Sequence, residues 1–443
     1  MGGHGGAGGR GDGAGRVERV SAEAHLARVL AETPPLPAAE APLREAGGRV
    51  LAEDARARND LPLWDNSAMD GYALRAGDAA GASEAGPVRL RIVGEIAAGS
   101  AEDPPIPAGS AVRIMTGAPL PGDADAVVPV ERTRGDAPPG PVAEPGAGDA
   151  SIGRWAEEEV SLFSPVDAGA NVRRRGEDAR VGAVLARAGD RLGARRIAAL
   201  AAAGVDVVRV RPAPRVAVIA TGAELRAPGE PLARGEIPES NSLLITALLA
   251  EQGLPAADVR VGGDDVAALR ARLAELGRRV DVVITTGGVG PGRHDVVRLA
   301  LADEPGVRAV SVAVKPGQPQ CTGRLRGGAR IFALPGNPVS AAVSFELFVR
   351  PALLRMQGAE ATDRMRLPAV AETGWRGAPG RLQVLPVRVR REPQGLVCRP
   401  AVDPRGVSHA VGGHGSANGY ALVAPERGDV AAGEGVDVIL LEA

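Results

Sequence analysis

The 443-residue sequence contains few aromatic residues, since Phe, Trp and Tyr together make up only 2% of it. Proteins that hold single-stranded nucleic acid stack the bases on aromatic rings, so this composition argues against such a function. A formal net charge of -2 also argues against a basic surface for nucleic acid. Hydrophobic residues make up 44% of the chain, which is enough to fold cores built mainly from Ala, Val and Leu.

The chain also lacks long apolar runs and has only two cysteines. No run of roughly 18 apolar residues is present, so no membrane span is predicted. Cys321 and Cys398 lie far apart without the spacing of a metal site, and we expect two reduced thiols. Residues 1–16 are glycine-rich without the apolar core of a secretory signal, and they are predicted to be disordered. These features predict a soluble, cytoplasmic protein.

A regular alternation of short apolar runs and helical patterns begins at about residue 215. It predicts strands within 216–219, 257–261, 280–285, 310–314 and 330–333, and helices within 241–252, 265–277, 296–301 and 338–356. Alternation of this kind is typical of a mostly parallel sheet covered by helices on both faces. The length of the chain predicts further domains around this one.

The segments on either side have different patterns. Residues 20–31 predict an amphipathic helix that ends before Pro34. Between 88 and 131, β-branched runs separated by Pro and Gly predict a small antiparallel β domain. Residues 134–153 predict a loop or insertion, and short strands after residue 365 predict a small β barrel or sandwich.

The stretch "ITTGGVGPGRHD" (284–295) follows a predicted strand of the α/β region. Ligands of open α/β sheets bind at the carboxyl ends of the strands. Glycines allow backbone N–H groups to approach an anion, and a helix N-terminus favours negative charge. Asp295 would suit phosphate only with Mg²⁺ between them. The alternative is that Asp295 simply caps the next helix.

Three other strand ends carry notable residues. Glu224 follows the strand at 216–220, where it could hold a metal or polar ligand or simply face solvent. In "LPGNPVS" (334–340) two prolines and a glycine predict a rigid turn into a helix. Lys315 adds a cation beside a stiff, proline-rich loop.

Polar turns also occur outside the α/β region. "WDNSAMDGY" (64–72) contains Asp65 and Asp70, and its simplest interpretation is an Asx turn before a strand. "RIMTGAP" (113–119) provides the hydroxyl of Thr116. The three arginines at 173–175 could be a solvated face, but guanidinium groups also match phosphate.

These motifs, taken in order, resemble the molybdopterin molybdenumtransferases, a family related to the enzymatic end of gephyrin. The resemblance runs from about Val17 to the C-terminus and is strongest in "DNSAMDGYA", "RIMTGAPLP", "RRRGED", the glycine stretch and "LPGNPVSA". It implies a multidomain α/β protein with a central three-layer molybdopterin-binding domain. The implied parts are a linker domain (17–64 and 164–211), an inserted β domain (65–163), the α/β domain (212–357) and a C-terminal β barrel-like domain (358–443).

The resemblance further implies a reaction and a set of residues. Molybdate would be inserted into adenylylated molybdopterin with Mg²⁺-dependent hydrolysis that releases AMP. The homodimer would share its cleft between subunits, and an upstream adenylyltransferase is a candidate partner; no nucleic acid or membrane is expected. Candidate catalytic residues are Asp65, Asp70, Thr116, Glu224, Asp264, Asp295 and Lys315, of which Glu224, Asp264 and Asp295 are candidate metal ligands. Candidate binding residues are Gly287, Gly288, Gly290, Gly292, Pro335, Gly336, Asn337, Pro338, Ser340, Arg174 and Arg381.

Several positions depart from the family pattern. A serine is usual at Gly290, an acid at Ala223 and a second lysine at Gln318, and Gly412 and Gly413 replace serines. Gly290-Pro291 is closer to the molybdopterin adenylyltransferases. Two alternative functions therefore remain at this stage: an adenylyltransferase-like activity, and a non-catalytic molybdopterin-binding paralogue.

Overall fold

The computed structural model describes residues 17–135, 155–290, 292 and 295–441. The disorder predicted for residues 1–16 lies outside this part of the chain, as does nearly all of the loop predicted at 134–153. Among the residues described, no helix combines the length and the apolar character needed to cross a bilayer.

The α/β region is built on six neighbouring strands of one sheet, and its predicted elements are present with small shifts. In spatial order the strands are Ala256–Gly262, Val216–Thr221, Val282–Thr286, Arg330–Leu334, Pro319–Arg324 and Val307–Lys315. The first four are parallel, and Pro319–Arg324 runs antiparallel to both of its neighbours. This strand was absent from the sequence prediction. Only three residues, 316–318, connect it to the preceding strand, and so short a connection forces an antiparallel pair.

Alternate residues of the central strands point into two separate cores. Val218 and Ile284 pack with Leu249 of the helix Asn241–Glu251. Ile219 and Val283 pack on the other face with the helix Val266–Arg279 and the short helix Val296–Leu301. This two-residue period confirms the predicted three-layer arrangement.

The helix predicted over residues 338–356 is interrupted. Its segments are an α-helix Pro338–Ser344, a π-helical turn Phe345–Val349 and an α-helix Arg350–Met356. Pro351 has no N–H to donate to the carbonyl of Leu347, and its ring crowds that carbonyl. The wider turn before Pro351 accommodates both effects.

The segment at 88–131 contributes to a six-stranded sheet that is mixed, not purely antiparallel. Val88–Ile96 and Ser110–Ile114 are parallel neighbours. The thirteen-residue connection between them, residues 97–109, is long enough to bring the chain back to the same end of the sheet. In spatial order the strands are Thr133–Gly135, Glu159–Leu162, Val88–Ile96, Ser110–Ile114, Gly71–Leu74 and Ala126–Pro129.

Several short elements complete the fold outside the barrel. The first predicted helix begins later than expected: Glu18–Ser21 is a strand beside Val307–Lys315, and Ser21 caps the helix Ala22–Ala31. The remaining elements are the strand pairs Asn66–Ser67 with Val172–Arg173, Ala55–Arg56 with Val184–Ala186 and Leu225–Arg226 with Ile237–Pro238, the three strands Ala39–Pro42, Val207–Arg211 and Val50–Leu51, and the helix Ala194–Ala202.

The C-terminal region forms a closed barrel, as predicted. Each of its five strands pairs with two others in a ring, in the order Leu382–Glu392, Gly395–Pro400, Leu367–Ala371, Gly435–Leu440 and Gly419–Val423. The barrel continues the α/β sheet, because Leu382 and Gln383 pair with Val314 and Lys315. A short helix, Val411–His414, lies before the strand Gly419–Val423.

Candidate active-site groove

A groove of about 820 Å³ lies along the carboxyl ends of the parallel strands. It contains the ends of the strands at Thr221, Thr286 and Leu334, and the C-terminal barrel region adds one more wall. The described lining residues that matter below are Gly222, Glu224, Glu239, Asn241, Asp264, Gly287, Gly288, Val289, Gly290, Gly292, Asp295, Pro335, Gly336, Asn337, Pro338 and His409. Most of the residues predicted at strand ends therefore lie in one place.

Gly287 sits where two other strand ends approach it closely. Its φ is +93°, and a Cβ atom there would lie 2.4 Å from the carbonyl oxygen of Thr221. A Cβ on Gly336 would lie 3.3 Å from the Cα of Gly287. Only glycine fits at Gly287, both for conformation and for space. The three strand ends are therefore packed backbone against backbone.

Asp295 closes the glycine loop with its side chain. Its carboxylate accepts the N–H of Gly290 at 2.8 Å and the N–H of Gly292 at 2.6 Å. It occupies the position before the helix Val296–Leu301 but makes no capping bond with its side chain. Asp295 thus occupies the N-cap position, as the capping alternative predicted, but its side chain accepts no hydrogen bond from the helix. Pro291, Arg293 and His294 of this stretch lie outside the described residues.

These bonds distinguish the loop glycines that were predicted to bind the ligand, Gly287, Gly288, Gly290 and Gly292, by whether their amides already have a partner. The amides of Gly290 and Gly292 are engaged by Asp295, and the amide of Gly287 donates to the carbonyl of Leu334 at 3.1 Å. The amides that donate to no other described residue are those of Gly288, Val289, Gly336 and Asn337. Of these four glycines, only Gly288 has an amide that donates to no other described residue.

The other two predicted metal ligands face the same groove. Glu224 makes no side-chain hydrogen bond to a described residue, and Asp264 accepts one long bond from the amide of Ala223 at 3.2 Å. In the part of the chain that is described, no three His, Cys, Asp or Glu side chains are grouped closely enough to hold a metal ion. The described residues therefore do not by themselves form a site with three protein carboxylates around one ion. Mg²⁺ is commonly held by one or two carboxylates and phosphate oxygens.

The predicted cations lie at the junction with the barrel. Lys315 is the only lysine of the chain, and no described residue forms an ion pair with it. Arg381 comes directly before Leu382, which pairs with Val314 at this junction. Neither residue is among the described residues that line the groove, and Ser340 is buried in the helix beside it.

The polar turns of the N-terminal region are satisfied within their own region. Asp65 accepts the amide of Arg175 and a guanidinium N–H of Arg174, each at 2.7 Å. Asp70 accepts the amide of Thr116 at 2.7 Å and its hydroxyl at 2.8 Å. These bonds lower the pKa of both carboxyl groups. None of these residues lines the groove of the same chain.

Two functional candidates were missed from the sequence. Asn241 begins a helix, and its amide group donates to the carbonyl of Gly336 at 2.6 Å, which ties the "PGNP" turn to the groove. An Asn at the start of a helix that follows a sheet strand is the signal that could have suggested it. His409 reaches the groove from the C-terminal region, and nothing in the local sequence indicates this.

Three family models cover most of the chain. The MoeA N-terminal region (domain I and II) matches residues 20–204, the probable molybdopterin binding domain matches 217–355, and the MoeA C-terminal region (domain IV) matches 368–441. A molybdopterin molybdenumtransferase of Synechococcus elongatus is 34% identical over 95% of this chain and 99% of its own length. The chain belongs to the molybdopterin molybdenumtransferase family.

Other members of the molybdopterin molybdenumtransferase family are also similar. Molybdopterin molybdenumtransferase 2 of Mycobacterium tuberculosis is 40% identical over 72% of this chain and 75% of its own length. The crystal structure of the molybdopterin biosynthesis MoeA protein from Pyrococcus horikoshii covers 97% of this chain and all of that one, with a TM-score of 0.75 and 30% identity. The predicted family, multidomain fold and transferase function in molybdenum cofactor biosynthesis are confirmed.

Proposed function

We propose that the groove binds adenylylated molybdopterin and that the chain inserts molybdate into it with hydrolysis that releases AMP. The observation that supports this most strongly is the meeting of three strand ends in one groove, where the amides of Gly288, Val289, Gly336 and Asn337 are left without partners among the described residues. Backbone N–H groups held in a rigid turn bind phosphate oxygens without further rearrangement.

Each residue of the groove has a part in this proposal. Asp295 keeps the loop closed so that the amides of Gly288 and Val289 stay directed to the phosphate. Asn241 holds the carbonyl of Gly336 and therefore positions the second group of amides. Glu224 and Asp264, whose carboxylates are little engaged, would hold Mg²⁺ together with phosphate oxygens. When bound, this ion supplies a Lewis acid that stabilises charge on those oxygens.

The remaining candidates act, in this proposal, at the edges of the groove. Lys315 and Arg381, together at the barrel junction, would attract molybdate by their charge. Pro335 and Pro338 restrict the backbone of the "PGNP" turn, and Ser340 lies in the helix that follows it. Cys321 and Cys398 are free and buried, which agrees with the proposed cytoplasmic location.

We further propose a homodimer in which the partner's polar turn completes the groove. Asp65, Asp70 and Thr116 lie outside the groove of their own chain, yet their turn exposes Leu63, Trp64 and Met69 at 44%, 49% and 38%. Neighbouring exposed apolar side chains of this size mark an interaction surface. A symmetric dimer would cover them and bring Arg174 and its turn to the other groove.

The reaction is tested with purified protein, adenylylated molybdopterin, molybdate and Mg²⁺. The expected result is AMP release and cofactor that reactivates a molybdenum-free apoenzyme. Consumption of ATP with free molybdopterin would instead show adenylyltransferase activity. Tight pterin binding without any turnover would show a non-catalytic paralogue. Release that is faster when an adenylyltransferase supplies the substrate directly would support the proposed upstream partner.

The dimer is tested by mixing two variants that each disable a different part of the site. Gly287→Ala disrupts the groove and Asp70→Lys disrupts the turn. If each groove uses the partner's turn, co-expressed subunits should recover about a quarter of the wild-type activity, because half of the dimers carry one intact site. No recovery, with mixed dimers shown to form, would rule out the shared site.

A further inference from the structure

A histidine from the C-terminal region stands in the wall of the groove. His409 ends the 3-10 turn Val407–His409, which packs against the helix Pro338–Ser344. Val407 anchors the turn because it is 3% exposed and belongs to the C-terminal core. His409 itself is exposed and lines the groove. The packing of Val407 and of the helix therefore holds the turn at the edge of the groove.

The residue before the turn makes room for this imidazole. A Cβ on Gly406 would lie 3.1 Å from Cε1 and 3.4 Å from Nε2 of His409. Contacts this short would require the ring to shift by a few tenths of an ångström. Gly406 thus permits an orientation that most other residues would disturb.

The charges of the groove give His409 a specific importance. Its described ionisable lining residues are Glu224, Glu239, Asp264, Asp295 and His409. Four of these are acids, and among the described lining residues only the histidine can carry a positive charge. A phosphorylated ligand entering this groove meets carboxylates on several sides. An imidazole can donate a hydrogen bond to a phosphate oxygen in either protonation state, and it attracts that oxygen further when it is charged.

We infer that His409 contacts a phosphate oxygen of the bound pterin nucleotide, so that the C-terminal region supplies a substrate-binding residue to the groove. This inference rests on the proposed function, since it takes the same ligand. It assigns the barrel region a direct part in binding, separate from that of Arg381 at the sheet junction.

The test compares KM for adenylylated molybdopterin and kcat of AMP release in four proteins. These are the wild type, His409→Ala, His409→Gln and the control Arg405→Ala. Arg405 lies four residues earlier, is paired with Asp403 on the surface and does not line the groove. The control therefore removes a nearby positive charge without touching the proposed contact.

We expect His409→Ala to raise KM roughly 10- to 100-fold, the usual effect of losing a hydrogen bond to a charged group. His409→Gln keeps a donor and should recover part of the loss, and Arg405→Ala should match the wild type. The KM for molybdate should not change in any of them. Melting temperatures equal to that of the wild type would show that the variants are folded. If His409→Ala does not fold, the KM of His409→Gln is used for the comparison instead.

The outcomes separate this inference from the function on which it rests. If the wild type releases no AMP, the proposed function itself is contradicted. An active wild type with an unchanged KM in both His409 variants would overturn the role of His409 alone. A loss confined to kcat, or an equal loss in Arg405→Ala, would overturn it as well.

Discussion

The carboxylates that line the groove and those of the N-terminal polar turns differ in how many hydrogen bonds they accept from the rest of the chain. Asp65 and Asp70 each accept two hydrogen bonds from neighbours in their own region, which holds their turns in shape. Glu224 accepts none from a described residue, and Asp264 accepts one long bond. A carboxylate with unused oxygens can bind an incoming cation, whereas an engaged one mainly fixes the chain around it.

Asp295 stands between these two cases. Both of its oxygens accept loop amides, yet the residue lines the groove. It therefore acts first on the shape of the loop, and any contact with an ion would use the remaining lone pairs. Position in a groove therefore does not by itself make a carboxylate available to a ligand. Its availability depends on how many hydrogen bonds its oxygens already accept.

The largest effect is expected for Gly287→Ala. The new methyl group would meet the carbonyl oxygen of Thr221, and φ at this residue is +93°. The glycine loop would shift, and displacement of a positioning group by about 1 Å lowers turnover roughly 100-fold. AMP release measures the loss. The control is Gly263→Ala, where a Cβ would have no neighbour within 4 Å, and equal activity in both variants would show that loop shape is unimportant.

Asp295→Asn should come next. The amide retains one acceptor oxygen but presents an N–H₂ group to the second loop amide, so one of the two bonds that close the loop is lost. We expect turnover to fall by about 10- to 100-fold while the melting temperature changes little. Turnover within twofold of the wild type would contradict the role of Asp295 in closing the loop.

The substitution Glu224→Gln tests the binding of the ion without changing the shape of the glycine loop. Since Glu224 supports no described part of the chain by a side-chain bond, its loss should leave the structure unchanged. The Mg²⁺ concentration that gives half-maximal AMP release should rise by about tenfold, and saturating Mg²⁺ should restore most of the rate. An unchanged Mg²⁺ requirement would exclude Glu224 as a ligand.

The smallest effect is expected for Asp65→Asn, and it should appear in stability. The N–H groups of Arg175 and Arg174 lower the pKa of Asp65 below its usual value of 3.8 in the folded protein. The pairing therefore stabilises the fold above about pH 4 and is lost as the pH falls through the lowered pKa. Urea unfolding from pH 7 downward should show a modest wild-type advantage in the free energy of unfolding, which shrinks as the pH falls below about 4. An advantage that stays constant below pH 4 would show that the charge of Asp65 is not its source.

The sequence was sufficient for much of the α/β fold because its strands and helices have clear periods. It also indicated the glycine stretch and Glu224 as neighbours, since the ends of parallel strands meet at one edge, whereas Asp264 was indicated only by the family resemblance. It could not show which amides are free, because this depends on bonds such as those from Asp295 to Gly290 and from Gly287 to Leu334. The strand Pro319–Arg324 was missed because its register is imposed by the short connection before it and not by its own pattern.

Asn241 and His409 show a second limit of local sequence patterns. Asn241 is more than ninety residues from Gly336, and His409 enters from a separate barrel. Their roles arise only when distant segments pack together. For the same reason, the position of Arg381 at the junction that also contains Lys315 follows from strand pairing between the sheet and the barrel.

The central claim is that backbone amides at the strand ends bind the phosphate of the nucleotide. The most direct test is a titration of ¹⁵N-labelled protein with AMP and Mg²⁺ followed by amide NMR. We predict that the resonances of Gly288, Val289, Gly336 and Asn337 shift together and saturate with one dissociation constant. Binding of AMP that leaves these four amide resonances unchanged would show that the amides do not hold the phosphate.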